Sequence, residues 1–219
     1  LRDSTLVIFT SDNGMNMGHH GIYGKGNGTF PQNMYDTSVK VPMLISHPGR
    51  IGSDEVSDDM LSHYDIMPTL LEYVGIESPD CGDLPGFSFA PLLRGEGGSG
   101  RGEVVVFDEY GPVRMIRTRD WKYVHRYPYG PHELYDLNGD PEERDNRIDE
   151  EACASVRQEL KARLQSWFER YADPTRDGTH EAVTGSGQLG LTGPAEEGQP
   201  IWAPPSSEWK YRFKQLPPE

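Results

Sequence analysis

A six-residue stretch without charge, Thr5-Leu6-Val7-Ile8-Phe9-Thr10, ends abruptly on Ser11-Asp12-Asn13-Gly14. No other feature constrains the fold of this chain as strongly. The run is rich in β-branched residues and shows no alternation, the pattern of a central strand buried on both faces of a parallel sheet. Val41-Pro42-Met43-Leu44-Ile45 is a second such run, with Pro42 tolerable only near a strand start or at an edge. Between Asp65 and Gly75, Ile66, Met67, Leu70, Leu71 and Val74 recur at helical spacing. Asp65 is the expected N-cap, Pro68 falls in the first turn and Gly75 marks the stop. Strand, loop, strand and helix in this order predict a layered α/β sheet.

A Gly/Pro/Ser-rich stretch from Pro79 to Gly102 then predicts a boundary, which we place at residues 97/98. Beyond it, Glu103–Phe107, Val113–Thr118, Lys122–Arg126 and Glu133–Leu137 are short strand candidates separated by turn residues, the cadence of an antiparallel meander. A helix from about Glu151 to Tyr171 is expected to cover it. Cys153, Val156, Leu160, Leu164, Trp167 and Tyr171 step by three or four along one apolar stripe. Residues 172–219 are rich in Gly and Pro, without periodicity, and predict an irregular tail.

The formal charge is −14, from 21 basic and 35 acidic residues, and no cluster of Lys or Arg interrupts it. This argues against nucleic acid or an anionic membrane surface as a partner. No segment approaches the roughly 20 continuous apolar residues of a membrane span. Two cysteines, Cys81 and Cys153, are too few for a disulfide framework or a cysteine-based zinc site. The chain starts at Leu1 just ahead of a strand, without an initiator Met or a signal-peptide pattern. We therefore expect the rear portion of a longer polypeptide, whose compartment is not legible here.

Ligand sites of parallel sheets collect at the carboxyl ends of strands, which is where Asp12 and Asn13 fall. A carboxylate beside an amide carbonyl offers two hard oxygen ligands, suited to calcium or magnesium, and Gly14 permits a sharp turn behind them. Lys25, between Gly24 and Gly26, could return as a point positive charge for a tetrahedral anion. The competing reading is a plain turn, since Asp, Asn and Gly all favour one. His19 and His20 could ligate zinc, but adjacent histidines rarely point the same way, and the commoner reading is an ordinary surface or packing pair.

Taken in order, Thr10-Ser-Asp-Asn-Gly14, Gly18-His-His-Gly21, Gly24-Lys25, Tyr35-Asp-Thr-Ser-Val-Lys-Val-Pro42 and Pro48-Gly-Arg50 closely resemble the second signature block of type I sulfatases, in the alkaline phosphatase superfamily. His63-Tyr-Asp-Ile-Met-Pro-Thr-Leu-Leu71 resembles that family's following helix. Ile116–Tyr123, Glu133–Leu137 and Asp140-Pro-Glu142 resemble its C-terminal subdomain. The resemblance implies an α/β fold: the remainder of an alkaline-phosphatase-like mixed sheet with flanking helices (residues 1–97), then a smaller α+β subdomain of four antiparallel strands and a helix (98–171). It also implies that Asp12 and Asn13 help coordinate a divalent metal, Ca2+ or alternatively Mg2+, and that Lys25 contacts the sulfate. His20 is implied as a residue lining the substrate cleft.

The family's nucleophile is a formylglycine made from C/S-x-P-x-R, and no such motif occurs in these 219 residues. Cys153-Ala-Ser-Val-Arg157 lacks the proline and sits on the expected helix; Cys153 reads as a small core residue. The reading is thus the C-terminal part of a sulfatase, a sulfuric ester hydrolase whose nucleophile lies in a missing N-terminal part and which is inactive alone. Its substrate would be a small-molecule or carbohydrate sulfate ester. The alternatives are a phosphodiesterase or phosphonate monoester hydrolase of the same superfamily, and a non-catalytic fragment. Asn13, in place of the histidine frequent in phosphonate hydrolases, favours the sulfatase. Among other polar residues, Asp108-Glu109 reads as a solvated pair. Arg114, Arg117, Arg119 and Arg126 read as an outward strand face. Trp121, Tyr123, Tyr127, Tyr129 and Tyr135 read as packing between sheet and helix.

Overall fold

In chain order the elements are β1 (Val7–Phe9), β2 (Asn16–Met17), β3 (Tyr23–Gly24), α1 (Asp36–Val39), β4 (Leu44–Ser46), α2 (Ile66–Tyr73), α3 (Ala90–Leu93), β5 (Glu103–Phe107), β6 (Val113–Thr118), β7 (Trp121–Arg126), β8 (Glu133–Asp136) and α4 (Ala154–Tyr171). The computed structural model describes residues 1–180 apart from 30–31, 78–82, 99, 109–110 and 129. Cys81, Glu109, Tyr129 and the expected tail from residue 181 onward lie outside the described residues. The chain is mixed α/β.

The first apolar run pairs otherwise than expected. β1 lies antiparallel to β4, with Val7 opposite Ser46, Ile8 opposite Ile45 and Phe9 opposite Leu44. Because side chains alternate across a strand, Ile8 and Ile45 turn toward Ile66 and Leu70 of α2 and Phe89 and Leu93 near α3, with which they line a narrow cleft. The opposite face, Val7, Phe9 and Leu44, is more than half exposed. Among the described residues β1 has a single neighbouring strand and one covered face, which corrects the expectation of a central parallel strand.

The helix after it begins one turn earlier than its spacing suggests. A 3₁₀ turn, His63–Asp65, precedes α2, and Ser62 is its cap, receiving the Tyr64 N–H at 3.5 Å. Asp65 closes the capping box by accepting the Ser62 N–H at 2.8 Å. Asp65, expected as the N-cap, is instead buried and also receives the Phe87 N–H at 2.8 Å and the Arg101 guanidinium. The stop at Gly75 is as expected: its φ of 73° permits the Ile76 N–H to reach the Leu71 carbonyl at 2.9 Å.

β5 to β8 form a four-stranded antiparallel meander in sequence order. One face carries Val105, Ile116, Tyr123 and Leu134, and these pack with Cys153, Leu160, Leu164 and Phe168 into one buried cluster. The apolar stripe of α4 thus covers the sheet as predicted, and Cys153 is a core side chain. The other face is buried too. Val113, Met115 and Val124 close against Met34, with Val39 beside them, so the stretch around α1 covers the sheet from the opposite side.

That second cover changes the reading of the strand arginines. Arg117 and the fully buried Arg126 face the stretch around α1, whereas Arg114 lies on the α4 side, its guanidinium 3.6 Å from the Phe168 ring centroid and paired with Asp177. Only Arg119, in the β6–β7 turn, is exposed. The long aliphatic stems of the buried arginines cross apolar surface while their heads meet acceptors. Asp108 is likewise buried rather than solvated, accepting the N–H groups of Gly111 at 2.7 Å and Val113 at 3.2 Å. Of the aromatic residues, Tyr123 belongs to the α4-side core, with Trp121 against it. Tyr135 tilts toward Tyr35 of the first segment. Among the described residues no helix is long and apolar enough to cross a membrane.

Candidate functional site

The turn at the end of β1 is organised by its own polar side chains. Asp12 Oδ1 accepts the Asn13 N–H at 2.8 Å and the Ser11 hydroxyl at 3.3 Å, and the Ser11 hydroxyl also reaches the Asn13 carbonyl at 2.8 Å. Asn13 Nδ2 donates to the Gly14 carbonyl at 2.7 Å. These bonds leave Asn13 Oδ1 and part of the Asp12 carboxylate open among the described residues, Asp12 exposed and Asn13 half-buried, so hard oxygens of both remain at the turn. The Asn13 N–H, opposed by desolvation and aided by the Ser11 hydroxyl and the Lys25 charge, holds the Asp12 carboxyl below its ordinary pKa. Asp12 is therefore ionised at neutral pH, with Lys25 close enough to contribute.

Lys25 is placed by a buried amide network beneath the loop. Asn16 is fully buried: its Nδ2 donates to Ser38 Oγ at 2.7 Å and to the Gly24 carbonyl at 3.3 Å, and its Oδ1 receives the Thr37 hydroxyl at 2.5 Å. Asn33 Nδ2 donates to the Gly26 carbonyl at 3.1 Å and to Thr29 Oγ1 at 3.0 Å, while its Oδ1 accepts from Ser38 Oγ at 2.6 Å. The residues on either side of Lys25 are thus fastened to one knot. Its ammonium is exposed and has no hydrogen bond or ion pair among the described residues.

The two histidines point elsewhere. His20, in the left-handed region at φ 53°, stacks on Tyr35 with ring centroids 3.7 Å apart and planes 7° from parallel. Burial, and then the charges of His19 and Arg144, hold its pKa below the ordinary value against Asp140 and Glu133. Apart from the adjacent His19, its electrostatic neighbours are therefore Glu133, Asp140 and Arg144, and among the described residues no contact joins it to Asp12 or Lys25. His19 is exposed, its Nδ1 accepting the Met17 N–H at 3.4 Å.

A second polar cluster lies behind α1, and the sequence reading missed it. Lys122, fully buried on β7, donates to the Met34 carbonyl at 2.9 Å and to Asp36 Oδ1 at 2.5 Å, and pairs with Glu143. Arg117 reaches the same carboxylate, Nε to Oδ1 at 3.1 Å and Nη2 to Oδ2 at 3.0 Å. Glu143 Oε2 accepts the Asp36 N–H at 2.6 Å. Burial raises both carboxyl pKa values. At Asp36 the Lys122 and Arg117 charges outweigh it and the net shift is downward; at Glu143 the net shift is upward. The available signal was Lys122 inside an otherwise buried strand, because a lysine there requires an acid.

Two free oxygens with a nearby cation suit a hard divalent ion facing an anionic ligand, and the donor chemistry of Asp12 and Asn13 fits Ca2+ or Mg2+. Two oxygens fall short of the about six such an ion takes. Among the described residues no group of three His, Cys, Asp or Glu side chains could hold a metal.

The model of the family described as N-sulphoglucosamine sulphohydrolase, C-terminal, matches residues 18–170. An uncharacterized sulfatase, YidJ of Escherichia coli K12, is 33% identical over 185 residues, covering 80% of this chain and 34% of the relative. Among solved structures, BT4656, in complex with its substrate D-glucosamine-2-N,6-O-disulfate, superposes with a TM-score of 0.68 at 30% identity, over 80% of this chain and 36% of that one. The phosphonate monoester hydrolase of Agrobacterium radiobacter gives a TM-score of 0.63 at 32% identity, over 75% of this chain and 35% of that one. The chain spans about a third of the length of the curated relatives it matches.

Proposed function

Because this chain belongs to the family of N-sulphoglucosamine sulphohydrolase C-terminal regions, we propose that it is the rear third of a sulfatase, contributing part of a metal and sulfate site to hydrolysis of an organic sulfate ester. The observation that supports this reading is a turn that sets Asp12 and Asn13 side by side, with the Lys25 charge near enough to act on the Asp12 carboxylate. In this reading residues 1–97 end the catalytic α/β portion and 98–171 form the subdomain that backs it.

The division of labour follows from the side chains. Lys25, unpaired within the described residues and exposed, stabilises negative charge on the sulfate oxygens and neutralises the ester as it binds. Asp12 and Asn13 would help hold a divalent cation, Ca2+ in our reading, which when bound would supply Lewis-acid stabilisation of the same oxygens. The remaining metal ligands and a formylglycine nucleophile belong to polypeptide outside these residues. The bare face of Val7, Phe9 and Leu44 is where that polypeptide would pack, since exposed apolar surface of this kind marks an interaction site. In this reading the stacked pair of His20 and Tyr35 would border the part of the substrate, a sugar or aryl group, that lies away from the metal. We favour a carbohydrate sulfate, a proposal supported by the sugar disulfate named for BT4656.

The test compares residues 1–219 with the longer polypeptide that contains them, each assayed for sulfate release and for phosphonate monoester hydrolysis. The expected result is no turnover by the shorter chain, and sulfate release by the longer one that is lost in Asp12→Asn and Lys25→Ala. A longer polypeptide with preference for the phosphonate would move the assignment to the phosphonate monoester hydrolases, which the similarity to the Agrobacterium enzyme keeps as the second reading. Hydrolysis of neither ester would leave a non-catalytic chain.

A further inference from the structure

Among the described residues the buried cluster behind α1 lies on a route of hydrogen bonds from the four-stranded sheet to the site loop, beside a second contact in which Arg126 reaches the Gln32 carbonyl at 2.9 Å. α1 is a single turn, too short to hold its own shape, so what anchors it decides where it sits. Its first residue, Asp36, is held from the sheet side by Lys122, Arg117 and Glu143. Its next two residues hold the site loop: the Ser38 carbonyl accepts the Gly14 N–H at 2.9 Å, and the Thr37 and Ser38 hydroxyls bind Asn16. Asn16 and Asn33 in turn hold the carbonyls that flank Lys25.

We propose that Lys122, acting with Glu143 through Asp36, is a positioning residue that sets the placement of Asp12, Asn13 and Lys25 from the far side of the chain. Its functional consequence rests on the sulfatase reading above; the coupling itself does not. Lys122 touches neither ligand oxygens nor the Lys25 ammonium. It acts because the Asp36 carboxylate has two oxygens, both engaged by cations of the sheet, while its backbone N–H is held by Glu143. With three side chains converging on one residue, the turn that follows has a fixed origin. The loop resting on that turn inherits it.

Amide hydrogen exchange on the 219-residue chain tests the coupling residue by residue. Asp36→Asn keeps the size of the side chain and removes its charge; Lys122→Met removes the partner. Leu164→Ala serves as a control that loosens the α4 core without touching the cluster. The expected result is exchange at least about tenfold faster at the amides of Gly14 and Asn33 in Asp36→Asn and Lys122→Met, with the amides of Ile116 and Leu164 nearly unchanged. The control should show the reverse pattern. If Lys122→Met does not fold, Asp36→Asn alone decides. Gly14 and Asn33 amides that exchange as in the parent, or acceleration at all amides in parallel, overturns the proposal. A loop that loosens selectively in a polypeptide that hydrolyses no sulfate ester still establishes the coupling and removes only the functional reading.

Discussion

A methyl group placed on Gly14 would stand 2.2 Å from the Thr37 carbonyl oxygen. The glycine is therefore required by a backbone-to-backbone contact, not by a turn conformation alone. The Gly14 N–H reaches the neighbouring Ser38 carbonyl at 2.9 Å, so the site loop and α1 touch along their main chains. Neither backbone can move aside cheaply. Gly14→Ala is expected to cost about 2 kcal/mol of stability, in the range of overpacked sites, read as a lower urea midpoint. An unchanged midpoint would mean that the two segments are not in contact in solution.

Lys25 and Asp12 present the opposite case. Both are exposed, and no buried group depends on either head group. Lys25→Ala and Asp12→Asn are therefore expected to leave the urea midpoint of the 219-residue chain where it was. In the longer polypeptide each should lower kcat/KM for sulfate ester hydrolysis by about 100-fold or more, the scale of loss when charge stabilisation of the reacting oxygens is removed, directly for Lys25 and through the metal for Asp12. A parallel loss of stability and activity would show that these residues serve the fold rather than the reaction.

The meander and α4 were legible in the sequence because each has one dominant periodicity: turn-bounded strands, and an apolar stripe repeating every three or four residues from Cys153 to Tyr171. The second face of the sheet was not legible. Its burial is carried partly by Arg117, Lys122 and Arg126; the two arginines read as solvent-facing, and the acceptors of all three, Asp36, Met34 and Gln32, lie 80 or more residues away. Asp108 misled for the same reason, since what its carboxylate binds is backbone. The partner of β1 was hidden because an uninterrupted apolar run specifies burial but not strand direction. Of the site, Asp12, Asn13 and Lys25 were visible as chemistry, whereas the Asn16–Asn33–Ser38 knot beneath them carries no local signature.

The sheet is buried on two faces by segments far apart in sequence, and this has a measurable consequence. Met115 faces the stretch around α1, and Leu160 on α4 packs on the opposite face. If both covers fold with the sheet as one unit, Met115→Ala and Leu160→Ala should each cost about 3 kcal/mol, the central cost of emptying a buried side-chain site. Both should shift one common unfolding transition followed by far-ultraviolet circular dichroism and by tryptophan fluorescence. Two separated transitions in Met115→Ala would show that residues around α1 unfold independently of the sheet.

His125 and His132 stack with ring centroids 4.2 Å apart at the end of the sheet, where cations surround them. The Arg126 N–H donates to His132 Nδ1 at 3.2 Å, which requires that nitrogen to be unprotonated, and the Tyr123 hydroxyl sits 2.7 Å from His125 Nδ1. Burial, then the neighbouring His132, Lys161 and Arg114, push His125 down to about 3; burial, then Lys161 and Arg126, push His132 down to about 4. Folded-state values below the unfolded value of about 6.5 mean that the unfolded chain binds more protons in acid. The contribution is therefore fully present above about pH 6.5 and is lost as the pH falls toward 4 and then 3. From pH 6.5 to 5 the loss is about 2 kcal/mol per histidine. Urea unfolding at pH 7, 6 and 5 should show a steep decline in the parent chain and a shallower one in His125→Gln/His132→Gln. Equal slopes would mean that the two rings titrate near their ordinary values, and that the packing at this end of the sheet is open to water.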